Sequence, residues 1–510
     1  MSIFRRYSDY LIISISYALS FGLSLINFGV FWDDWAYVGQ PLGILVRNGM
    51  QLGIPWLGYF QYLFTSSAYG ILLCRLCVFF SFLASGFCLY YIVRSIKEIL
   101  PSTRLLICLF FCIFPLHFGR MLICVSHYAI CFFTFFLALA LTVVYLKRPH
   151  FLLRVVTLLL FFFSFFTNSF LVFHAITLGV IYYHHYGKKL WTVVIRFCDF
   201  IVLPIFFFVA RYFWFRPFGI FEGYNGFSIK SLLLSIIYLP LSFKSSFLDT
   251  MSLALSCLPL VSLVVASLAV FWVMRCVKVE KSDPITIKRF FMIGIGVFIC
   301  GVTPYILVGK PPLLVAFESR HQLLLGLGNA LMLTYFLIGI RHIFKLKHMY
   351  FIALVSVIVA SFISFNIYTQ LEYHRELAKQ DALLIQLRAT PELTQFNTLI
   401  FEDTTLSLNA WGRKYSFYEF TQLLSLAFGE KRYLGLDHTD MPILPKLILR
   451  KEYEEYGFKQ WQGLYPAAKV VITSAAPFPS MWQLIGANLF FKDAYMKKLS
   501  TTLSLSITDL

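Results

Sequence analysis

Leu11 to Phe31 is a nearly unbroken apolar run of 21 residues, and similar runs recur near 71–93, 105–118, 127–146, 152–167, 170–186, 191–213, 252–274, 290–309, 322–340 and 350–368. A helix of that first run is roughly 30 Å long, the thickness of a bilayer's hydrocarbon core. The pattern predicts an α-helical polytopic membrane protein with about eleven transmembrane helices. The 105–118 run is short, the 152–186 stretch is one kinked helix or two helices turning at Asn168-Ser169, and 229–247 is either interfacial or a twelfth span. With 59% hydrophobic and 13% charged residues, a soluble globular fold is excluded.

The net charge of +18 could signal nucleic-acid binding until it is mapped. Residues 371–510 hold 15 Lys/Arg and 15 Asp/Glu, so the whole excess lies in the first 370 and belongs to membrane orientation, with no nucleic acid implied. With a cytoplasmic N-terminus, the cytoplasmic segments collect 19 Lys and Arg, from Arg5 and Arg6 to Lys345 and Lys347, and the opposite loops hold 8. That orientation places Asp33-Asp34 outside, with Glu222, Asp249 and Glu318. Leu11–Phe31 is too long for the apolar region of a signal peptide and has no small-residue cleavage site, so it is expected to remain as a span. None of the 11 cysteines follows Cys300, and the Cys74-Arg75-Leu76-Cys77 spacing has no second pair, which favours buried thiols over a metal or redox site.

Asp33-Asp34, within Phe31-Trp32-Asp33-Asp34-Trp35-Ala36-Tyr37, stands where the first span leaves lipid. Ionisable groups are costly to hold there and mark a functional site. Residues 40–70 follow as an apolar segment broken by Pro41, Gly43, Gly49, Gly53, Pro55 and Gly58, read as lying in the outer headgroup layer. After Ile367 the composition changes, dividing the chain into a membrane part, 1–370, and an external α/β domain, 371–510. In that domain Asn397–Phe401 and Lys469–Thr473 read as strands, and Phe420–Phe428 and Trp482–Lys498 as helices. It has no Asn-x-Ser/Thr sequon, which tilts the location toward a bacterial periplasm, with the spans in the inner membrane.

An acidic pair at the outer end of the first span, an apolar interfacial segment after it, many spans and an external C-terminal domain together resemble the GT-C glycosyltransferases. These are membrane enzymes that take a sugar from a polyprenyl-phosphate carrier. The layout is most similar to bacterial enzymes that decorate surface polysaccharide, such as the serotype-converting O-antigen glucosyltransferases. The resemblance implies a single sugar moved, with inversion, from a polyprenyl-phosphate-linked donor to a glycan acceptor on the periplasmic face, and it favours Asp33 as the base. Neighbouring helical residues point about 100° apart, so Asp33 and Asp34 cannot share one task. One would accept the acceptor's proton while the other orients a hydroxyl or a basic partner. The alternative for the pair is a helix cap at the interface.

The donor phosphate needs cations on the same side. Arg320 and His321, in Glu318-Ser319-Arg320-His321, are the leading candidates, and the resemblance implies a basic residue in such a late external loop. Lys310, Arg120, Arg211 and Arg216 follow as second-rank candidates, and Glu318, Trp35 and Tyr37 are assigned to substrate binding; Glu318 could instead pair with Arg320 as a helix anchor. A monophosphate leaving group requires no metal cofactor, though a divalent ion on Asp33 or Asp34 remains open. His117 and His127 read as polar tips at the membrane face, Arg196 and Asp199 as a structural pair, and His184-His185 with Lys188-Lys189 as a cytoplasmic collar. Arg75 is left between snorkelling and facing a cavity. The C-terminal domain, with aromatic segments Trp411–Phe420 and Tyr453–Tyr465, is expected to cover the external mouth and select the acceptor without supplying the base. Competing readings are a polysaccharide polymerase using lipid-pyrophosphate oligosaccharide, and a transporter or flippase, although no internal repeat is visible.

Overall fold

The first span ends before it reaches the acidic pair. Helix Ser2–Phe21 tightens into a 3-10 turn at Gly22–Ile26, and the chain is extended at Asn27 before a separate short turn, Trp32–Ala36, carries both aspartates. The Asn27 side chain accepts a hydrogen bond from the Gly29 N–H at 2.8 Å, a local bond that competes with helix continuation. The single helix expected to Phe31 is therefore shorter. The computed structural model describes residues 2–185, 187–226, 229–275, 277, 279–280, 282–314, 316–444, 461 and 463–509.

Among the described residues, five helices are long and apolar enough to cross a membrane: Ser8–Ile26, Gly70–Arg94, Ser126–Lys147, Pro284–Leu307 and His348–Arg388. Two bent pairs raise this to seven, against the eleven expected. The shortfall lies at 105–118, 152–167, 170–186 and 322–340, whereas each bent pair matches one expected span. Pro101–Ile113, Phe151–Ser164 and Ser169–His184 are helical but short, the latter two separating at the Asn168-Ser169 turn. Leu190–Arg196 meets Cys198–Trp214 at 55°, and Ser235–Ser256 meets Leu260–Met274 at 104°, beside Pro259, whose ring removes a backbone donor. Residues 229–247 are helical pieces, and a π turn at Lys244–Asp249 leads into Thr250–Ser256. The expected Arg196–Asp199 pair does not form. Asp199 instead takes two bonds of 2.6 Å from Arg154, whose guanidinium also donates to the Arg196 carbonyl.

Helix His348–Arg388, 41 residues, passes unbroken through the 370/371 boundary and becomes the support of a four-stranded sheet. The order is β2 (Leu434–Asp437), β1 (Thr398–Asp403), β3 (Ala467–Ser474) and β4 (Leu503–Asp509). The first three are parallel, and β4 is antiparallel to β3. Both expected strands are present, and the expected helix at 420–428 begins at Phe417. Trp482–Lys498 is two helices, Met481–Phe490 and Lys492–Leu499. Most of Tyr453–Tyr465 lies outside the described residues. The loop leaving the carboxyl end of β1 turns back onto the membrane helices, where Trp411 stacks on Phe118 at 5.3 Å. The carboxyl ends of the parallel strands thus face the end of the bundle that bears Asp33.

Helices Pro284–Leu307 and Leu325–Ile343 cross at glycines. A Cβ on Gly328 would stand 2.7 Å from the Phe298 Cα, and one on Gly301 2.8 Å from the Leu324 carbonyl, the small-residue contact by which helices approach in lipid. Gly328→Leu should destabilise the protein by about 1–3 kcal/mol or more, because backbone rather than a movable side chain must shift. Gly296→Leu, where nothing lies within 4 Å, should leave the melting temperature in detergent unchanged.

Candidate active site

The two aspartates point into different surroundings. Asp34 is fully buried, its Oδ2 accepting the Ile123 N–H at 2.9 Å and its Oδ1 the Cys124 N–H at 2.7 Å. Burial pushes its pKa up to about 6, against those two amide bonds, which favour the carboxylate. Beneath it Arg75, 1% exposed, donates to the carbonyls of Asn27 at 3.3 Å and Gly29 at 2.8 Å, and to that of Met121. Extended chain inside a helical bundle leaves carbonyls without ladder partners, and Arg75 supplies them. It neither snorkels nor lines an open cavity; it ties the segment after the first span to the loop at 117–125.

Asp33 is half-buried, and the Tyr418 O–H donates to its Oδ1 at 2.5 Å. Burial raises its pKa above the usual carboxylate value, while the Tyr418 bond and the Arg320 and Arg413 charges pull it back. Trp32 beside it stacks on Phe317 at 5.9 Å, and the Arg413 guanidinium lies 4.5 Å over its ring. Arg413 is also paired with Glu376 on the long helix and, at 2.6 Å, with Glu419, which closes a capping box with Ser416. Trp32, His117 and Trp411 all take positive φ without being glycine, at 48°, 55° and 62°. Such strained residues gather where a structure holds a site in one geometry.

Of the expected cations, Arg320 and His321 stand together. The Arg320 guanidinium packs 3.5 Å over Phe317 and lies 3.9 Å from Glu318, which is 2.9 Å from His321 Nδ1. Glu318 is thus a partner of both. Lys310 is within electrostatic reach of Glu318, donates to Asn225 at 2.7 Å and covers Tyr224 at 3.7 Å. Arg120 lies deeper, over the rings of Phe21 and Phe82 at 3.8 and 4.7 Å. Arg211 sits apart near Gly53, and Arg216 is exposed. Trp35, 4% exposed, belongs to the core beneath the sheet, and the Tyr37 N–H bonds back to the Asp34 carbonyl at 3.0 Å. His117 and His127 are buried rather than at a membrane face, because the 117–125 loop folds inward under the chain at 316–322.

Among the described residues no three His, Cys, Asp or Glu side chains converge as metal ligands. Asp34, with both oxygens on amides and no exposed surface, does not suit an ion shared by the pair. No family model matches the chain, and no curated protein matches it. The site residues not anticipated from sequence are Tyr418, Arg413, Trp32 and Phe317. Ser416-x-x-Glu419 is a readable helix-start signature that sets Tyr418 in the first turn, but which surface that turn meets depends on tertiary packing. Asp34→Asn should lose one amide bond and destabilise the protein by about 1–3 kcal/mol. Asp33→Asn should melt within about 0.5 kcal/mol of wild type. Thermal unfolding of both variants in detergent separates the two roles.

Proposed function

We propose that this is a membrane glycosyltransferase of GT-C type. In this reading it moves one sugar from a polyprenyl-phosphate carrier to a surface-glycan acceptor at the periplasmic face. The observation that supports it best is the division of labour in the acidic pair: one carboxylate is bound to backbone, and the other is half-buried, bonded to Tyr418 and within electrostatic reach of Arg320. Asp33 removes the proton from an acceptor hydroxyl as its oxygen attacks the anomeric carbon from the side opposite the phosphate. The bond from that carbon to the phosphate oxygen breaks, inverting the centre, and the electron pair leaves with the phosphate. Arg320 offers a fork of donors to that phosphate, and His321 and Lys310 add polarity and charge beside it. Tyr418, Trp32 and the loop at 404–416 wall the acceptor side.

Asp33→Asn should lower transfer about 100-fold or more, the scale of a lost general base. Purified protein should transfer label from a monophosphate-linked single sugar and not from a lipid-pyrophosphate oligosaccharide. Use of the second donor alone would point to a polymerase, and movement of lipid without transfer to a flippase.

The pH profile tests the role of Asp33 directly. The base must be ionised, so activity should fall as pH drops through the raised pKa of Asp33, above the ordinary carboxylate range. The Tyr418 hydrogen bond favours the carboxylate. Tyr418→Phe should therefore raise that pKa further and move the acid limb of kcat/KM to higher pH. A limb that stays in place or moves down would contradict the assignment.

A further inference from the structure

Arg120 is a half-buried guanidinium packed among aromatic rings, its Nη1 shut away from solvent, and among the described residues no carboxylate pairs with it. A buried charge without a counter-charge is costly, so something must balance it. Arg120 donates to the carbonyls of His117 at 3.3 Å and Leu116 at 3.1 Å and lies beside the Tyr17 hydroxyl, while its Nη1 makes no hydrogen bond of good geometry among the described residues. The same holds for His117 Nδ1, 3% exposed, and for both polar atoms of the Gln322 side chain, 0% exposed. All three residues line one cavity of about 30 Å³ whose remaining wall includes Phe82, Phe111 and Phe132. Burial and the Arg120 charge hold the His117 pKa down to about 3, against ring hydrogen bonds to the backbone of Arg320 and Ser319, so His117 adds no positive charge to the cavity.

We infer that this cavity is a binding site for a monatomic anion of chloride size, held by Arg120 and Gln322 with His117 in its wall. The volume sets the class of ligand. About 30 Å³ takes one such ion or about two waters, whereas a tetrahedral oxyanion with five heavy atoms does not fit. The donors set its sign: a guanidinium and a carboxamide that can turn its Nε2 inward, with no carboxylate among the lining groups. The site lies under the loop that carries Arg320. The Gly119 N–H donates to Ser319 Oγ at 3.2 Å, and Gln322 is two residues beyond Arg320. An ion here neutralises Arg120 and fixes the junction between the 117–121 turn and the Glu318–Gln322 segment. The inference concerns a site separate from the mouth at Asp33, and it holds whichever sugar chemistry operates there.

The test is radiolabelled chloride binding to the full-length purified protein, with gluconate as the replacement anion. Wild type should bind one chloride saturably and melt higher in chloride than in gluconate. Gln322→Leu, which leaves the charge in place, should weaken binding about tenfold or more, the loss expected for one hydrogen bond to an ion. Arg120→Gln should abolish binding, and Asp33→Asn should leave it unchanged. Should Arg120→Gln fail to fold, the Gln322→Leu titration still decides. Absence of saturable binding to wild type, identical melting in the two salts, or chloride affinity unmoved by Gln322→Leu would each overturn the assignment and leave the cavity to water.

Discussion

Everything at the proposed site depends on how the chain from Asn27 to Asp34 is held. From Asn27 to Phe31 this segment is not helical, so its polar groups must find partners elsewhere. Arg75 takes the carbonyls on one side of the segment, and Asp34 takes two amides on the facing loop. The positive member of this clamp comes from the helix Gly70–Arg94 and the negative one from the turn Trp32–Ala36. Both bind backbone rather than each other, so the clamp reads chain position and not side-chain identity. Its effect is to present Asp33 toward the mouth with its neighbour turned inward.

The C-terminal region is built into this arrangement rather than appended to it. Arg413 bridges Glu376 of the long helix and Glu419 of the helix at Phe417–Phe428 while covering Trp32, and Lys379 pairs with Asp403 at the end of β1 at 2.5 Å. Removing one member of such a buried pair leaves an uncompensated charge, at about 3–5 kcal/mol. The ions therefore fix where the sheet sits on the bundle. Gln422 and Lys431 add bonds to the carbonyls of Val38 and Gly39, so the chain on both sides of the acidic pair is gripped from above.

The membrane character and the place of the acidic pair were legible because hydrophobic run length and isolated charge are local properties. Strand β1 and most of the helix at Phe417–Phe428 were legible for the same reason, through short apolar runs set between turn residues. More spans were expected than are long enough to cross, because at 105–118 and 152–186 the composition stays lipid-like while the helices Pro101–Ile113, Phe151–Ser164 and Ser169–His184 are short. β4 carries a visible Leu-Ser-Leu-Ser-Ile alternation, but β2 has only four residues and no pattern long enough to count. Tyr418 is 385 residues from Asp33, and no spacing rule reaches that far. The roles of Asp33 and Asp34 separated only when the amides of Ile123 and Cys124 came into place.

The helix His348–Arg388 contains neither proline nor glycine, the residues at which helices most often bend. It runs from the bilayer to the sheet as one rod, and the ion pairs above bolt the sheet to its upper half. A lid that swings as a body needs a hinge, and this support provides none. In the proposed reading, entry to Asp33 would then fall to smaller parts, the Tyr418 side chain and the loop at 404–416, segments of a kind that moves on nanosecond to microsecond scales rather than the slower scale of domain rotation. The mouth would behave as a turnstile of side chains beneath a fixed canopy, with reactants arriving from the side, along the bilayer surface.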